Sequence, residues 1–339
     1  MIKFDSDDNI EYTVIFSLLS GKEIQIRNVK ETLFLKSFLG LIKLITANTS
    51  YHYSNGILDF MPGVITGGEI KYLCSNINMS SYIVPLLILA PFTRIPLQLT
   101  LTGITNGSGL SIDVVRLVHL RILKMFNIEN IELRINKRGF APEGKGEIYL
   151  SVGNVNKLPA IECIPDQLVK IRGIAISSHI NSFAVKTIAE IVKEELSDLC
   201  SNIKIYSDVS NKNESGPSPG YQAVLFAEGK NTIYYSETIG SPNSTPKETA
   251  INAIKLLLKS IDKSRSFDHK IQYFVFSFMA LTTTDPSKVV IKRLSSMDKN
   301  ILESLNRFFN FSYSIERRGE ELVFISLGTG FSNYMKVVK

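Results

Sequence analysis

Two spacings of apolar residues alternate along this chain, one near the helical period and one of two, and the switches between them mark out its elements. Residues 13–19 predict a helix and 23–26 a strand, joined at Ser20-Gly21, and 31–46 has the apolar recurrence of an amphipathic helix. Short alternating or β-branched runs at 57–60, 68–72, 97–102 and 131–135 predict strands, with helices over 80–90 and 112–126 between them. Gly67-Gly68-Glu69-Ile70 is echoed by Gly144-Lys145-Gly146-Glu147-Ile148. Each is a glycine-rich approach to a strand, and the echo suggests an internal repeat of about 75 residues.

After Pro165-Asp166 the style changes. A strand over 168–171 leads to a charged amphipathic helix over 181–199 that carries Glu190, Lys193, Glu194 and Glu195. A strand at 204–206, a polar loop over 208–220, strands at 222–228 and 232–237 and a helix over 245–260 follow, and the segment closes near Phe267. The chain then returns to its earlier manner, with helices over 271–281 and 299–309 and strands at 288–292, 312–316 and 321–326. This order predicts a mixed α/β (α+β) fold with one domain inserted into another. Residues 1–171 and 267–339 form the large domain, and 172–266 the smaller inserted α/β domain.

Composition excludes the extreme classes. Hydrophobic residues make up 44% and charged residues 21% of 339, and mean hydropathy is +0.10, the balance of a globular protein. The longest apolar run, 83–92, is broken by Pro85 and Pro91 and is far shorter than the roughly 20 residues a bilayer demands, so no membrane partner is expected. Thirty-eight Lys and Arg against 32 Asp and Glu leave a net charge of +6, which makes polyanions plausible partners through phosphate neutralisation. Cys74, Cys163 and Cys200 are widely spaced, with neither CxxC pairs nor clustered His, which argues against a disulfide framework and a zinc site and for a reducing compartment. Residues 1–9 are acidic and polar where a signal peptide would be basic and then apolar, so the protein is expected inside the cell.

Two segments carry candidate chemistry. The loop NKNESGPSPG at 211–220 could wrap an anion with its backbone amides, although a plain polar loop has the same composition. The segment KRGFAPEGKG at 137–146 is denser, with three cations and three glycines that would let phosphates approach the backbone. It matches no Walker or Rossmann spacing, and an electropositive turn explains it as well as a phosphate site does. The four histidines, His52, His119, His179 and His269, have no second His or Cys at metal-ligand spacing, and His119 reads as a packed structural residue. The run Thr282-Thr283-Thr284-Asp285-Pro286 reads as a helix end and the start of a loop.

Ten phrases in order resemble the RNA 3′-terminal phosphate cyclase superfamily, most closely its eukaryotic, nucleolar cyclase-like branch. They are Ser20-Gly21-Lys22 with Ile24-Gln25-Ile26-Arg27; Met61-Pro62-Gly63-Val64-Ile65-Thr66-Gly67-Gly68; Leu89-Ala90-Pro91-Phe92; Gly103-Ile104-Thr105-Asn106 with Asp113; and Arg138-Gly139. Arg172-Gly173-Ile174-Ala175, Ile205-Tyr206-Ser207-Asp208, Glu214-Ser215-Gly216 with Ser218-Pro219-Gly220, Ser287-Lys288-Val289, and Gly328-Thr329-Gly330-Phe331-Ser332-Asn333 complete the set, which spans nearly the whole chain. The resemblance implies a large domain of three βαβαββ repeats with a smaller α/β domain inserted before the third.

Cyclases of this family take AMP from ATP on a histidine, and the resemblance places Met297 at that nucleophile's position, where a thioether cannot form a phosphoramidate. Asp7-Asp8-Asn9-Ile10 and then Glu11 stand where cyclases carry a glycine-rich loop before an arginine, so a carboxylate replaces the cation that would meet ATP phosphates. Tyr273-Phe274 stands where they carry Asp-Gln. The resemblance therefore implies a catalytically silent factor of small-subunit ribosome assembly, without cofactor or metal. It acts as a monomer in the nucleolus of the nucleus, with a nucleolar GTPase, the U3 small nucleolar ribonucleoprotein and pre-rRNA. The alternatives are a divergent RNA-end enzyme with a relocated nucleophile, a general RNA-binding module, and a pre-rRNA endonuclease, for which no clustered carboxylates of a two-metal site are visible. For RNA or anion contact the candidates are Lys137, Arg138 and Lys145, with Asn106 and Arg172 beside them, because cationic groups next to glycine-rich backbone can share phosphate oxygens.

Overall fold

The computed structural model describes residues 1–6, 8–241 and 243–334. Asp7 of the acidic N-terminal segment lies outside the described residues. The chain opens with β1 (Ile2–Phe4), α1 (Ile10–Ser20), β2 (Ile24–Ile26), α2 (Leu33–Ile45), β3 (Thr46–Ala47), β4 (Ser50–Ser54), β5 (Ile57–Met61) and β6 (Val64–Ile65). β1, β2, β5 and β4 form a sheet in that order, with β1 parallel to β2 and the remaining pairs antiparallel. A second unit follows with β7 (Gly68–Asn78), α3 (Ser80–Leu89), β8 (Leu97–Ile104), α4 (Ile112–Val114), α5 (Leu120–Met125), β9 (Ile131–Lys137) and β10 (Gly146–Val152). Its sheet runs β7-β8-β10-β9, again with the first two strands parallel.

The third unit begins with β11 (Glu162–Cys163) and is interrupted at once by β12 (Lys170–Ser178), α6 (Phe183–Glu195), β13 (Ile203–Ser210), β14 (Gly220–Glu228), β15 (Ile233–Ile239) and α7 (Pro246–Lys263). It resumes with α8 (Gln272–Ala280), β16 (Pro286–Ile291), α9 (Ser296–Phe309), β17 (Tyr313–Arg318) and β18 (Glu321–Leu327), and its sheet runs β11-β16-β18-β17. Three units therefore share one βαβαββ order and one sheet topology. The inserted strands make a fourth sheet, β13-β12-β14-β15.

The mixed α/β fold with an inserted unit is as expected, and several details differ. β11 lies inside the stretch 1–171 yet pairs with β16, Glu162 against Lys288 and Cys163 against Val289, so the third unit starts before the insert. The glycine echo joins positions that are not equivalent: Gly68 opens the first strand of the second unit and Gly146 its last, pairing with Leu97 and Gly103 respectively. The helix expected over 112–126 is broken into α4 and α5 by a π turn at Val115–His119.

Two cores explain the insert's position. Ile171, Ala175, Ala223 and Leu225 pack beneath α6 and α7 with Val185, Ile188, Ala253 and Leu257. On the opposite face of the same sheet Ile174, Ile176, Val224, Phe226 and Tyr235 join the large core that runs through all three units. A sheet buried on both faces reads as a near-continuous apolar run, as Ala223 to Ala227 does. Among the described residues no helix is long and apolar enough to cross a membrane.

Candidate functional site

The turn between β9 and β10 is tied to the insert. β9 delivers Arg138 inward, where only 4% of the residue is exposed. Its Nη1 and Nη2 donate to the two carboxylate oxygens of Asp113 at 2.8 and 3.0 Å, and Nε and Nη2 donate to Asp208 Oδ2 at 3.1 and 2.6 Å. Nη1 also reaches Asn106 Oδ1 at 3.2 Å. A guanidinium satisfies two carboxylates in this way because its fork presents parallel N–H pairs. Burial alone would raise the Asp113 carboxyl, but Arg138, then Arg116 and Asn106, hold it below the usual carboxylate range.

The seam continues through Asn106, whose Nδ2 donates to Gln222 Oε1 at 2.7 Å, and through Gln222 Nε2, which donates to Glu237 Oε2 at 3.0 Å. The Ser111 amide N–H also donates to Glu237 at 3.2 Å. Burial pushes the Glu237 carboxyl up to about 7, opposed by its bonds to Ser111 and by the Lys270 ammonium and reinforced by Asp113. Backbone contacts close the joint. Gly216 N–H donates to Arg138 O at 2.6 Å, and a Cβ on Gly220 would stand 2.2 Å from the Phe140 ring. The two glycine-rich loops thus meet, one on each side of the boundary, and hold the insert on the second unit. A further tie is Arg121, which donates to Glu228 at 2.6 Å and to Gly229 O at 3.1 Å.

The five sequence candidates are therefore not one patch. Asn106 and Arg138 are buried in this ion-pair and amide network and present no accessible face. Lys145 is exposed beside Glu143 at 3.6 Å, and Lys137 ends β9 half-buried opposite Glu147. Arg172 donates to Ile171 O, Asn202 O and Asn202 Oδ1 at 2.8 to 3.0 Å. It pairs with Lys204 in the register that puts Ile176 opposite Asp208, so it stands about 13 Å along the sheet from the Arg138 joint. Sequence reasoning missed Gln222 and Glu237, whose strands show nothing of the residues facing them.

A second region forms where the N-terminal loop meets α9. Met297 occupies the first turn of that helix, half-buried against the core. The next residue, Asp298, completes a capping box with Ser295, its Oδ2 accepting from the Ser295 N–H and Oγ–H, both at 2.7 Å. Asn300 and Ser304 stand three and seven residues after Met297, on the same helix face. They line a cavity of about 270 Å³ with Phe4, Asp5, Ser6, Asp8, Thr13, Glu303 and Arg307. Its carboxylates face one guanidinium, which itself lies 4.2 Å over the Phe4 ring and bonds to Lys3 O. Tyr273 is half-buried and accepts from the Tyr12 hydroxyl at 3.2 Å. Among the described residues no group of three or more His, Cys, Asp or Glu is placed to hold a metal ion.

The three-fold βαβαββ body with its insert agrees with a family match over residues 2–315 to RNA 3′-terminal phosphate cyclase. The chain belongs to the RNA 3′-terminal phosphate cyclase family. The RNA 3′-terminal phosphate cyclase-like protein of Bos taurus is 30% identical, over 96% of this chain and 95% of that protein. The rRNA processing protein rcl1 of Schizosaccharomyces pombe is 29% identical over 98% and 96%, and the rRNA processing protein RCL1 of Saccharomyces cerevisiae 26% identical over 99% and 97%.

Proposed function

We propose that this protein is a non-cyclising member of its family that acts in rRNA processing. The reading rests on Met297 in the first turn of α9, a thioether that the family resemblance sets where adenylyl transfer needs an imidazole, and on Asp5, Asp8 and Glu303, which with Arg307 line the cavity that α9 borders. A thioether has no nitrogen lone pair with which to form a phosphoramidate, and carboxylates repel a triphosphate. Relatives matched over nearly their full length carry rRNA processing in their names, which supports a nuclear role. In the finer reading the protein works as a monomer in the nucleolus at the small-subunit stage. There it joins the U3 particle and 18S pre-rRNA with a nucleolar GTPase, and Lys137 and Lys145 are the sequence candidates open to RNA.

Two measurements test the proposal. Incubation with labelled ATP and a divalent metal should leave no covalent AMP on the protein, and an RNA 3′-phosphate should stay open; a labelled adduct overturns the loss of catalysis. Gentle purification from its own cells should recover a GTPase, U3 RNA and pre-rRNA. Recovery of none of them from soluble, folded protein overturns the ribosomal role.

A further inference from the structure

With Arg138 and Asn106 internal, a row of accessible cations remains on the insert's last helix. On α7, Lys255, Lys259 and Lys263 recur every four residues and share one face, a ridge about 12 Å long. Lys292 and Arg293 follow β16 and adjoin its C-terminal end. Lys292 Nζ donates to Asp262 O at 3.0 Å and lies 3.4 Å from the Asp262 carboxylate, the one acid in 249–263. At the other end of α7, Glu248 is engaged in a capping box with Thr245. Leu256 and Leu258, each 44% exposed, flank the ridge.

This arrangement opposes the stability of the free protein. Like charges four residues apart disfavour a helix. Desolvation, then the charges of Lys259 and Arg293, lower the Lys263 ammonium below the usual lysine range against the pull of Asp262. His269 is lowered as well, by burial first and by Lys270, Lys263 and Arg293 after it, with Asp268 opposing. Crowded cations of this kind become favourable when they face a polyanion, which releases its counterions as they bind.

We propose that the α7 ridge, with Arg293, is a sequence-independent contact surface for the phosphate backbone of RNA. It rests on the rRNA-processing reading for the choice of RNA among polyanions. Ammonium groups act as point charges on phosphates and carry no base information, so the ridge holds RNA without selecting it.

The test is fluorescence anisotropy of the full chain with a labelled RNA duplex of scrambled sequence, across a salt series. K255A/K259A/K263A should weaken binding about tenfold or more near 100 mM salt and flatten the logarithmic salt slope by about two to three. K36A/K71A/K157A, which removes the same charge elsewhere, should change affinity by less than about twofold, and K255R/K259R/K263R should bind as the parent does. Alanine is the best helix former, so the thermal midpoint should hold or rise; the single K259A, with about a threefold loss, reads out the ridge if the triple variant does not fold. Equal binding by parent and K255A/K259A/K263A overturns the ridge while leaving the ribosomal role intact. No RNA binding by a parent that still recovers pre-rRNA from cells means that partners carry the RNA, which also overturns it. Loss of an acidic protein partner in the triple variant, with RNA affinity unchanged, assigns the face to protein and overturns it too.

Discussion

Replacing Arg138 by Ala would remove the guanidinium that holds the insert to the second unit. Five donor contacts of 2.6 to 3.2 Å to Asp113, Asp208 and Asn106 would disappear together. Asp113 has no exposed surface and would keep only Arg116 at 3.1 Å and a long 3.5 Å contact from Asn106. Removing one partner of a buried pair costs about 3 to 5 kcal/mol, because the remaining charge stays buried without compensation. The double variant R138M/D113N leaves no such charge and should recover more than half of that loss. Asp208, the more exposed partner, can turn to water, so D208N should cost only about 1 kcal/mol.

The pH dependence separates this mechanism from simple loss of packing. In the native protein Asp113 lies below its unfolded value of 3.8. It contributes stability above about 3.8 that is lost as pH falls through the folded value. In R138A burial dominates, the folded value rises above 3.8, and the contribution changes sign: the variant gains stability as pH falls from neutral towards about 4. The penalty should therefore shrink on acidification. The chain has no Trp, so urea unfolding followed by far-UV circular dichroism at several pH values is the suitable assay. A penalty below about 1 kcal/mol, or one that does not fall at acid pH, would refute the buried-pair account.

Three further outcomes are expected. Burial pulls His119 down to about 4 from 6.5, against a backbone contact with Val114, so its contribution is present above 6.5 and lost as pH falls to about 4; H119L should remove up to about 3 kcal/mol of that acid dependence in thermal melts, and an unchanged slope contradicts it. Glu237 has the opposite sign: with a folded value of about 7 against 4.5, its stability is full below 4.5 and lost as pH rises through 7, so E237Q should level the thermal midpoint between pH 5 and 8, to the extent of about 3 kcal/mol at most. G220A would drive a methyl group to within 2.2 Å of the Phe140 ring and should lower stability by about 2 kcal/mol; a variant as stable as the parent would show that the two loops do not meet this closely.

Much of the architecture is legible along the chain because its signals are local. α7 starts at Thr245 as expected, with an acid three residues on that closes a capping box; α9 starts at an equivalent box at Ser295, ahead of the expected 299. The alternating runs at 97–102 and 131–135 became strands with their apolar sides inward, and the change of style after Pro165 marked the insert. β11 escaped notice because two residues carry no period, and β4 because its Ser, Tyr and His alternate without clear polarity. The glycine echo misled because a glycine before a strand records a local turn, and turns recur at positions that are not related by any repeat.

What the residues by themselves determined is much of the order of elements, the insertion and a thioether in place of an imidazole at residue 297, since each depends on neighbours within a few residues or on side-chain chemistry alone. The role of Arg138 depended on tertiary structure. A cation beside glycines has the same local signature whether water or protein surrounds it, and its partners Asp113 and Asp208 lie 25 and 70 residues away. Whether a charge is solvated or buried is a property of the assembled field around it, so only the folded chain could separate the internal joint at Arg138 from the open ridge on α7.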